Sequence, residues 1–443
     1  MNKIRPAFKF GKPIQSIILK KTTASLLVNG TSYDGTAEVR LDLLPRAGVY
    51  IYAEFMGMLP IVVLDVMSNH KTIDKFILER ENIPGFFLNL GGSIPGNTTK
   101  LKWCLYPEQL IWGSKNSTTT KYLIFHIFNF MDFVGTSRSV ENNGKTKFAV
   151  EYVDFKSNDW IVELKSLRTT RDNIEKLKAR GGYGLTHIGS IRKTDESNFS
   201  AKEASTILTA ISYFLSFAKG IWCIPVCAVG FDEAGDRIWE SWNSPREPWY
   251  EPLSWFDKYH TNQLIELFPG FIEKWKNEDW RKTFENVIYW YLNANNSSSG
   301  IDAGIILTQA GIERLSFEYA VKCKKLIEKS GFKELRASDK FRLLFSSLDI
   351  PIEISNHLES LKKLGKQLSW IDAPHALTEI RNSLVHPEHK QHGKISDHYF
   401  DAWNLGLWYL ELSLLRICDY SGSYRNRLTA KYVGQTEEVP WKC

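Results

Sequence analysis

Short apolar runs separated by turn residues dominate the first 195 residues. Stretches 25–29, 37–43, 49–55 and 122–130 are rich in Val, Ile, Leu, Tyr and Phe, the side chains that suit a pleated, half-buried surface. Asn29-Gly30, Asp34-Gly35, Gly91-Gly92, Pro95-Gly96-Asn97 and Asn142-Asn143-Gly144 bound them, supplying the backbone freedom that tight turns require. Stretches 146–155 and 160–164 continue the pattern, and a short helix is predicted near 173–179. Residues 1–195 therefore read as a β-rich domain suited to sensing or regulation.

The period then changes. Ser200 can cap a helix whose apolar positions, Ile207, Ile211, Phe214, Leu215 and Ala218, recur near every 3.6 residues, with Gly220 as its stop. A strand pair over 222–231 and 237–242 follows, joined by an Asp- and Gly-containing turn. Trp239, Trp242, Trp249, Trp255, Trp275, Trp280 and Trp290 then crowd one stretch, with helices predicted over 261–267 and 280–292. Tryptophans stack on bases or fill cores; the helical spacing of the last three favours core. Residues 196–292 thus form a mixed, Trp-rich module.

Asn293-Ala294-Asn295-Asn296-Ser297-Ser298-Ser299-Gly300 is polar and small, the composition of a linker. Beyond it every segment reads as helix: 301–330, 338–348, 352–368 with Pro351 ahead of it, 373–385 and 396–420. Short connections between them imply a bundle over 301–443. The fold class expected is α+β, with a β-rich N-terminal region and an all-α C-terminal bundle.

Composition narrows the class further. Hydrophobic content of 43% and charged content of 24% are globular values and exclude a disordered chain. A net charge of +6 tolerates a polyanionic partner without identifying one. Cys104, Cys223, Cys227, Cys323, Cys418 and Cys443 are scattered, mostly inside apolar stretches, which points to reduced, buried thiols rather than disulfides or a zinc ribbon. No apolar leader is visible, and the longest apolar run, 221–231, falls well short of the ~20 residues that span a bilayer. A cytoplasmic protein without membrane contact is expected.

The strongest chemical signal is Arg381-Asn382-Ser383-Leu384-Val385-His386, followed by Pro387. On a continuous helix Arg381 and His386 would lie about 140° apart. Pro387 disfavours the helical conformation at His386, so the helix is expected to end there and free the imidazole to turn back. Asn382 and His386, four apart, share a face. Cleaving RNA requires a base for the 2′-OH, an acid for the departing 5′-oxygen and positive charge on the phosphorane. Imidazole serves the first two roles and guanidinium the third. The nucleophile is part of the substrate, so no metal and no cofactor is required. One histidine serves poorly as both base and acid, which makes a second copy in a homodimer attractive.

Arg-Asn-x3-His on the penultimate helix of a C-terminal helical unit resembles the R-x4-6-H motif of HEPN-domain ribonucleases, over about residues 301–443. The strand-rich, Trp-rich region ahead of it is similar in organisation to ApeA-like abortive-infection proteins of antiphage defence. The resemblance implies a dimeric, metal-independent endoribonuclease in which Arg381 and His386 are catalytic and Asn382 orients or contacts phosphate. It also implies a toxic effector acting on RNA, such as tRNA, and released by a phage-derived trigger. A HEPN-like module that dimerises or binds nucleotide or RNA without cleaving it is the alternative.

Several neighbouring residues admit two roles. Arg381 could instead pair with Glu379 or Glu388 while His386 merely ends the helix. His386, His389 and His392, near His375 and His398, have ligand-like spacing, but Lys390 and Lys394 oppose a cation, so no metal is expected. His389, Lys390 and Lys394 read better as part of an RNA path. Glu313, on the first helix of the bundle, is a secondary candidate for orienting Arg381. Tyr399, Trp403, Trp408 and Leu412 lie on more than one side of the last helix, an excess of apolar surface that would suit dimerisation.

Overall fold

A computed structural model describes residues 4–11, 13, 15–56, 75–88, 98–114, 116–142, 145–296 and 300–442. The turn signals Gly91-Gly92, Pro95-Gly96-Asn97 and Asn143-Gly144, linker residues 297–299 and Cys443 lie outside them. The chain is α+β. It divides into two units that interleave in sequence, one of Met1–Phe130, Leu164–Ile207 and Ile224–Trp249, the other of Met131–Glu163, Leu208–Cys223 and Tyr250–Cys443. The Trp-rich stretch 196–292 is therefore shared between units rather than forming a module of its own.

In the first unit, strands β1 (Ile17–Val28), β2 (Thr31–Asp42), β3 (Gly48–Met56), β4 (Lys75–Leu78), β5 (Glu81–Asn82), β6 (Gly85–Leu88) and β7 (Thr98–Leu105) form a sheet in the order β5-β4-β1-β2-β3-β7-β6. Asn29 and Gly30, at φ 49° and 77°, make the tight β1–β2 turn, the left-handed pair that an Asn-Gly hairpin favours. Alternate residues of these strands are buried, as a period of two demands. Chain order continues with β8 (Leu110–Gly113), β9 (Tyr122–Phe128), β10 (Thr136–Asn142), β11 (Lys145–Lys156), β12 (Trp160–Ser166), β13 (Leu185–Lys193), β14 (Pro225–Phe231) and β15 (Arg237–Trp242). Within the first unit β13-β9-β14-β15-β8 lie side by side, all antiparallel. One core joins both sheets, with Leu26, Val39, Ile51 and Phe76 meeting Val226, Val229 and Trp242.

His126 on β9 is fully buried in this unit. Its Nδ1–H donates to the Val226 and Cys227 carbonyls at 3.1 Å each, while Nε2 accepts from the Ala7 amide at 3.1 Å. Both nitrogens are thus satisfied by the neutral ring, and burial pushes its pKa down to about 4. Burial does the same to His187, to about 3.

Helix α1 (Thr170–Arg180) contains the stretch predicted as helical. Helix α2 (Ala201–Lys219) starts on a reciprocal cap, with Glu203 N donating to Ser200 Oγ (3.3 Å) and Ser200 N to Glu203 Oε2 (2.9 Å). Its last turns belong to the second unit, where α3 (Asn262–Lys276) and α4 (Glu278–Asn295) follow. Asn277 caps α4 by accepting from the Trp280 amide. Trp255, Trp275 and Trp280 are buried in this unit, and Trp239 and Trp242 in the first, so these tryptophans are core residues. The polar run at 293–300 is no free linker as far as it is described. Residues 293–295 continue α4, and the buried Asn295 side chain donates to the Gly220 and Leu253 carbonyls.

The helical set differs from expectation where tertiary contacts intervene. Instead of one helix over 301–330, α5 (Ile301–Phe317) widens into a π-helical turn, Glu318–Cys323. The buried Glu318 carboxylate accepts from Thr283 Oγ1 at 3.1 Å and lies 3.3 Å from Lys322 and 3.7 Å from Arg314. The chain then turns at Lys325, φ 52°, before α6 (Lys329–Glu334) and α7 (Ala337–Ser347). The helix predicted over 352–368 begins only at α8 (Glu359–Gln367). The Pro351 and Ile352 carbonyls are engaged instead by Tyr409 Oη (2.9 Å) and the Ala373 amide (2.8 Å). Helices α9 (Ala373–Val385) and α10 (Tyr399–Ile417) complete the set.

Among the described residues no helix is long and apolar enough to cross a membrane. Cys104, Cys223, Cys227 and Cys418 are buried free thiols; Cys323, at the end of the π-helical turn, is exposed, contrary to the general expectation for the cysteines.

Candidate functional site

Helix α9 is fixed at its start before it carries any candidate side chain. The Asp372 carboxylate caps it by accepting from the His375 amide at 2.9 Å, with Pro374 in the first turn. The same carboxylate takes two hydrogen bonds from Arg342 of α7, at 2.6 and 3.1 Å. Ala376, Leu377, Ile380 and Ser383 are buried. Gln309 of α5 donates to the Leu377 carbonyl at 2.6 Å. The opposite side of the helix is left for Arg381 and Asn382, both partly exposed.

Its end is governed by Pro387. His386 is extended, at φ −107° and ψ 106°, while its amide still donates to the Asn382 carbonyl at 2.9 Å. The imidazole leaves the helical lattice and is exposed. Arg381 Nη1 donates to Asn382 Oδ1 at 3.4 Å, and among the described residues the guanidinium makes no ion pair. Glu379 faces His389 Nε2 at 3.3 Å, and Glu388 lies 3.9 Å from His386 Nδ1. Neither carboxylate neutralises Arg381. The three residues Arg381, Asn382 and His386 thus share one helical end, with no hydrogen bond between Arg381 and His386.

The loop after α9 turns back on the helix. His392 Nδ1 donates to the Ser383 carbonyl at 2.7 Å. His389 Nδ1 accepts from the Gln391 amide at 3.2 Å, which leaves its proton on Nε2, pointing at Glu379. His398 meets Ser360 Oγ and His375 accepts from the Ile371 amide. These imidazoles have separate partners, and no group of three or more metal-ligating side chains is assembled among the described residues. Lys390 is exposed, and Lys394 folds onto the Lys390 carbonyl at 2.8 Å.

Beside this loop lies a cleft of about 460 Å³, lined by Leu368, Trp370, Glu379, Glu388, His389, Lys390 and Gln391. Arg381 and His386 are not among its walls. Sequence reasoning missed Trp370, whose signal was a tryptophan just past a helix end and outside the crowded stretch. Glu313 does not orient Arg381, because it is exposed and bonded to Lys340 at 2.7 Å. The apolar excess of α10 is largely used inside its own unit. Trp408 and Leu412 are buried, and Trp403 Nε1 donates to the Ala294 carbonyl at 2.7 Å.

Two family descriptions match the chain: the YopA central domain over residues 115–251 and the YopA C-terminal domain over residues 277–438. The second match contains Arg381, Asn382, His386 and the whole cleft. The chain is also similar to the SPbeta prophage-derived uncharacterized protein YopA of Bacillus subtilis (strain 168). The two are 28% identical over 413 residues, covering 91% of this chain and 90% of that one. No solved structure matches the chain.

Proposed function

We propose that the end of α9 is the active centre of a metal-independent endoribonuclease of HEPN type. The observation that carries the reading is a partly exposed guanidinium with no ion pair among the described residues, five residues before an imidazole that Pro387 turns off the helix. Such a guanidinium is free to fork onto phosphate oxygens. In the reaction the ribose 2′-oxygen attacks the adjacent phosphorus as a base removes its proton. The phosphorus–O5′ bond breaks as an acid protonates the leaving oxygen, giving a 2′,3′-cyclic phosphate and a 5′-hydroxyl. His386 of one copy serves as base and His386 of a second copy as acid, while Arg381 stabilises the charge of the phosphorane. Asn382 holds Arg381 and contacts phosphate. The likeness to a prophage-derived protein is compatible with a cytoplasmic effector in conflict between phages and their hosts, restrained until a phage-derived trigger appears.

A binding module without cleavage is the second reading, favoured by the cleft, whose walls exclude both Arg381 and His386. Incubating the full chain with tRNA or total RNA in EDTA separates the two. Chelator-resistant cleavage that falls at least about a hundredfold in both His386→Ala and Arg381→Ala supports the nuclease. Intact RNA retained by the protein, with or without a phage lysate as activator, leaves only the binder.

A further inference from the structure

We infer that the cleft beside α9 is a guanine-recognising subsite, holding one base of an RNA chain next to the bond that the proposed nuclease cuts. The inference rests on that reading only for the word "cuts"; recognition of the base stands on the walls of the cleft. Its volume of about 460 Å³ falls within the about 300–1,000 Å³ of small-molecule sites. Trp370 and Leu368 are only partly buried there. Trp370 is held by its amide on the Gly365 carbonyl at 2.8 Å and by packing on Gly365, where a Cβ would approach its ring at 3.6 Å. An indole held by its backbone and partly exposed to a cleft is a platform on which a flat base stacks.

The polar groups select among bases. The His389 Nε2–H donates to Glu379 Oε2, and the Gln391 amide on Nδ1 fixes that tautomer. Glu379 is therefore oriented by a donor it cannot lose without disturbing the loop. Its Oε1 accepts no hydrogen bond among the described residues. A carboxylate so presented accepts two parallel hydrogen bonds from a ligand with two adjacent donors. Guanine offers that pair, N1–H and the exocyclic N2–H. Adenine and cytosine each set a ring-nitrogen acceptor against the carboxylate, and uracil flanks its single N–H with carbonyl oxygens. A base lacking the donor pair makes at most one hydrogen bond to the carboxylate and sets a lone pair against its other oxygen, so it binds more weakly. Lys390, exposed on the wall, suits the phosphate that accompanies the base.

Calorimetric titration of the full-length His386→Ala chain with GMP and AMP tests this without requiring cleavage. GMP should bind at least tenfold more tightly than AMP. Glu379→Gln should weaken GMP at least tenfold and leave AMP unchanged, whereas Trp370→Ala should weaken both. Equal affinities, no binding of either, or a Glu379→Gln variant that keeps its GMP affinity overturns the assignment. A second arm uses two short RNA oligomers differing by one guanine-to-adenine change. Binding of GMP but not of the guanine oligomer overturns the RNA subsite in favour of a free nucleotide. Guanine-selective binding without cleavage by the wild-type chain removes the nuclease reading alone, and cleavage blind to the change removes the subsite alone.

Discussion

Replacing Arg427 with methionine should cost the second unit about 3–5 kcal/mol, the range for a buried ion pair that loses one partner. Arg427 and Glu411 are 1% and 0% exposed. The guanidinium donates from Nε to Glu411 Oε2 at 3.0 Å and from Nη2 to Oε1 at 2.6 Å. Tyr291 of α4 donates to the same Oε1 at 2.7 Å. Nη2 also reaches Asn295 Oδ1 at 3.2 Å and the Leu253 carbonyl at 3.1 Å. Without the guanidinium, a carboxylate that water cannot reach keeps a single phenolic donor. The Leu253 carbonyl loses less, because Asn295 still donates to it. Against a typical domain stability of about 5–15 kcal/mol, such a loss is about a fifth or more. Urea unfolding followed through helical circular dichroism measures it, since most helices lie in this unit. A triple variant, Tyr291→Phe with Glu411→Leu and Arg427→Met, removes the stranded charge together with its partners and should recover most of the loss. A single Arg427→Met variant within about 1 kcal/mol of wild type, or a triple variant no better than the single one, refutes the reasoning.

Two further outcomes follow from the geometry. Pro387→Ala removes the restriction on His386, so the helix can continue past Val385 and carry the imidazole away from Arg381; RNA cleavage in EDTA should fall at least about tenfold with unchanged circular dichroism, and full activity would remove Pro387 from the argument. The first unit should lose stability in acid: His126, with a pKa lowered to about 4, stays neutral when folded and takes up a proton near pH 6.5 when unfolded. Its contribution is intact above pH 6.5, declines as the pH falls and reaches a loss of ~3 kcal/mol below pH 4. Thermal unfolding at pH 7.5 and 5 should show the decline, with a shallower slope in His126→Leu; an identical slope would contradict it.

Local signals in the sequence were legible because their causes are local. The Asn29-Gly30 turn, the Ser200–Glu203 cap and the helix end at Pro387 each depend on a few adjacent residues, and each stands where the pattern places it. Element lengths were less legible. Strands β1 and β2 run on through polar positions because each is paired to a neighbour, and α3 continues through Pro269 to Lys276, past the end predicted at residue 267. The break in the helix over 301–330 depends on Glu318 meeting Thr283 and Lys322, and Thr283 lies on another helix. The polar run at 293–295 shows the same dependence. A run of asparagines and serines has linker composition, yet Asn295 is buried by carbonyls 75 and 42 residues away.

The candidate site shows both sides of this within one helix. That Arg381, Asn382 and His386 share a helix end follows from spacing and from Pro387. Whether Arg381 is free does not, because Glu379 and Glu388 stand near it in sequence and either could neutralise it. The outcome is decided by the loop, which returns so that His392 reaches the Ser383 carbonyl and His389 meets Glu379. The histidine that looked like a metal ligand or an RNA contact thereby engages the Glu379 carboxylate, and the guanidinium makes no ion pair among the described residues. Trp370, which lines the cleft, carried no motif, because its place there depends on a cleft that exists only once the loop has folded back.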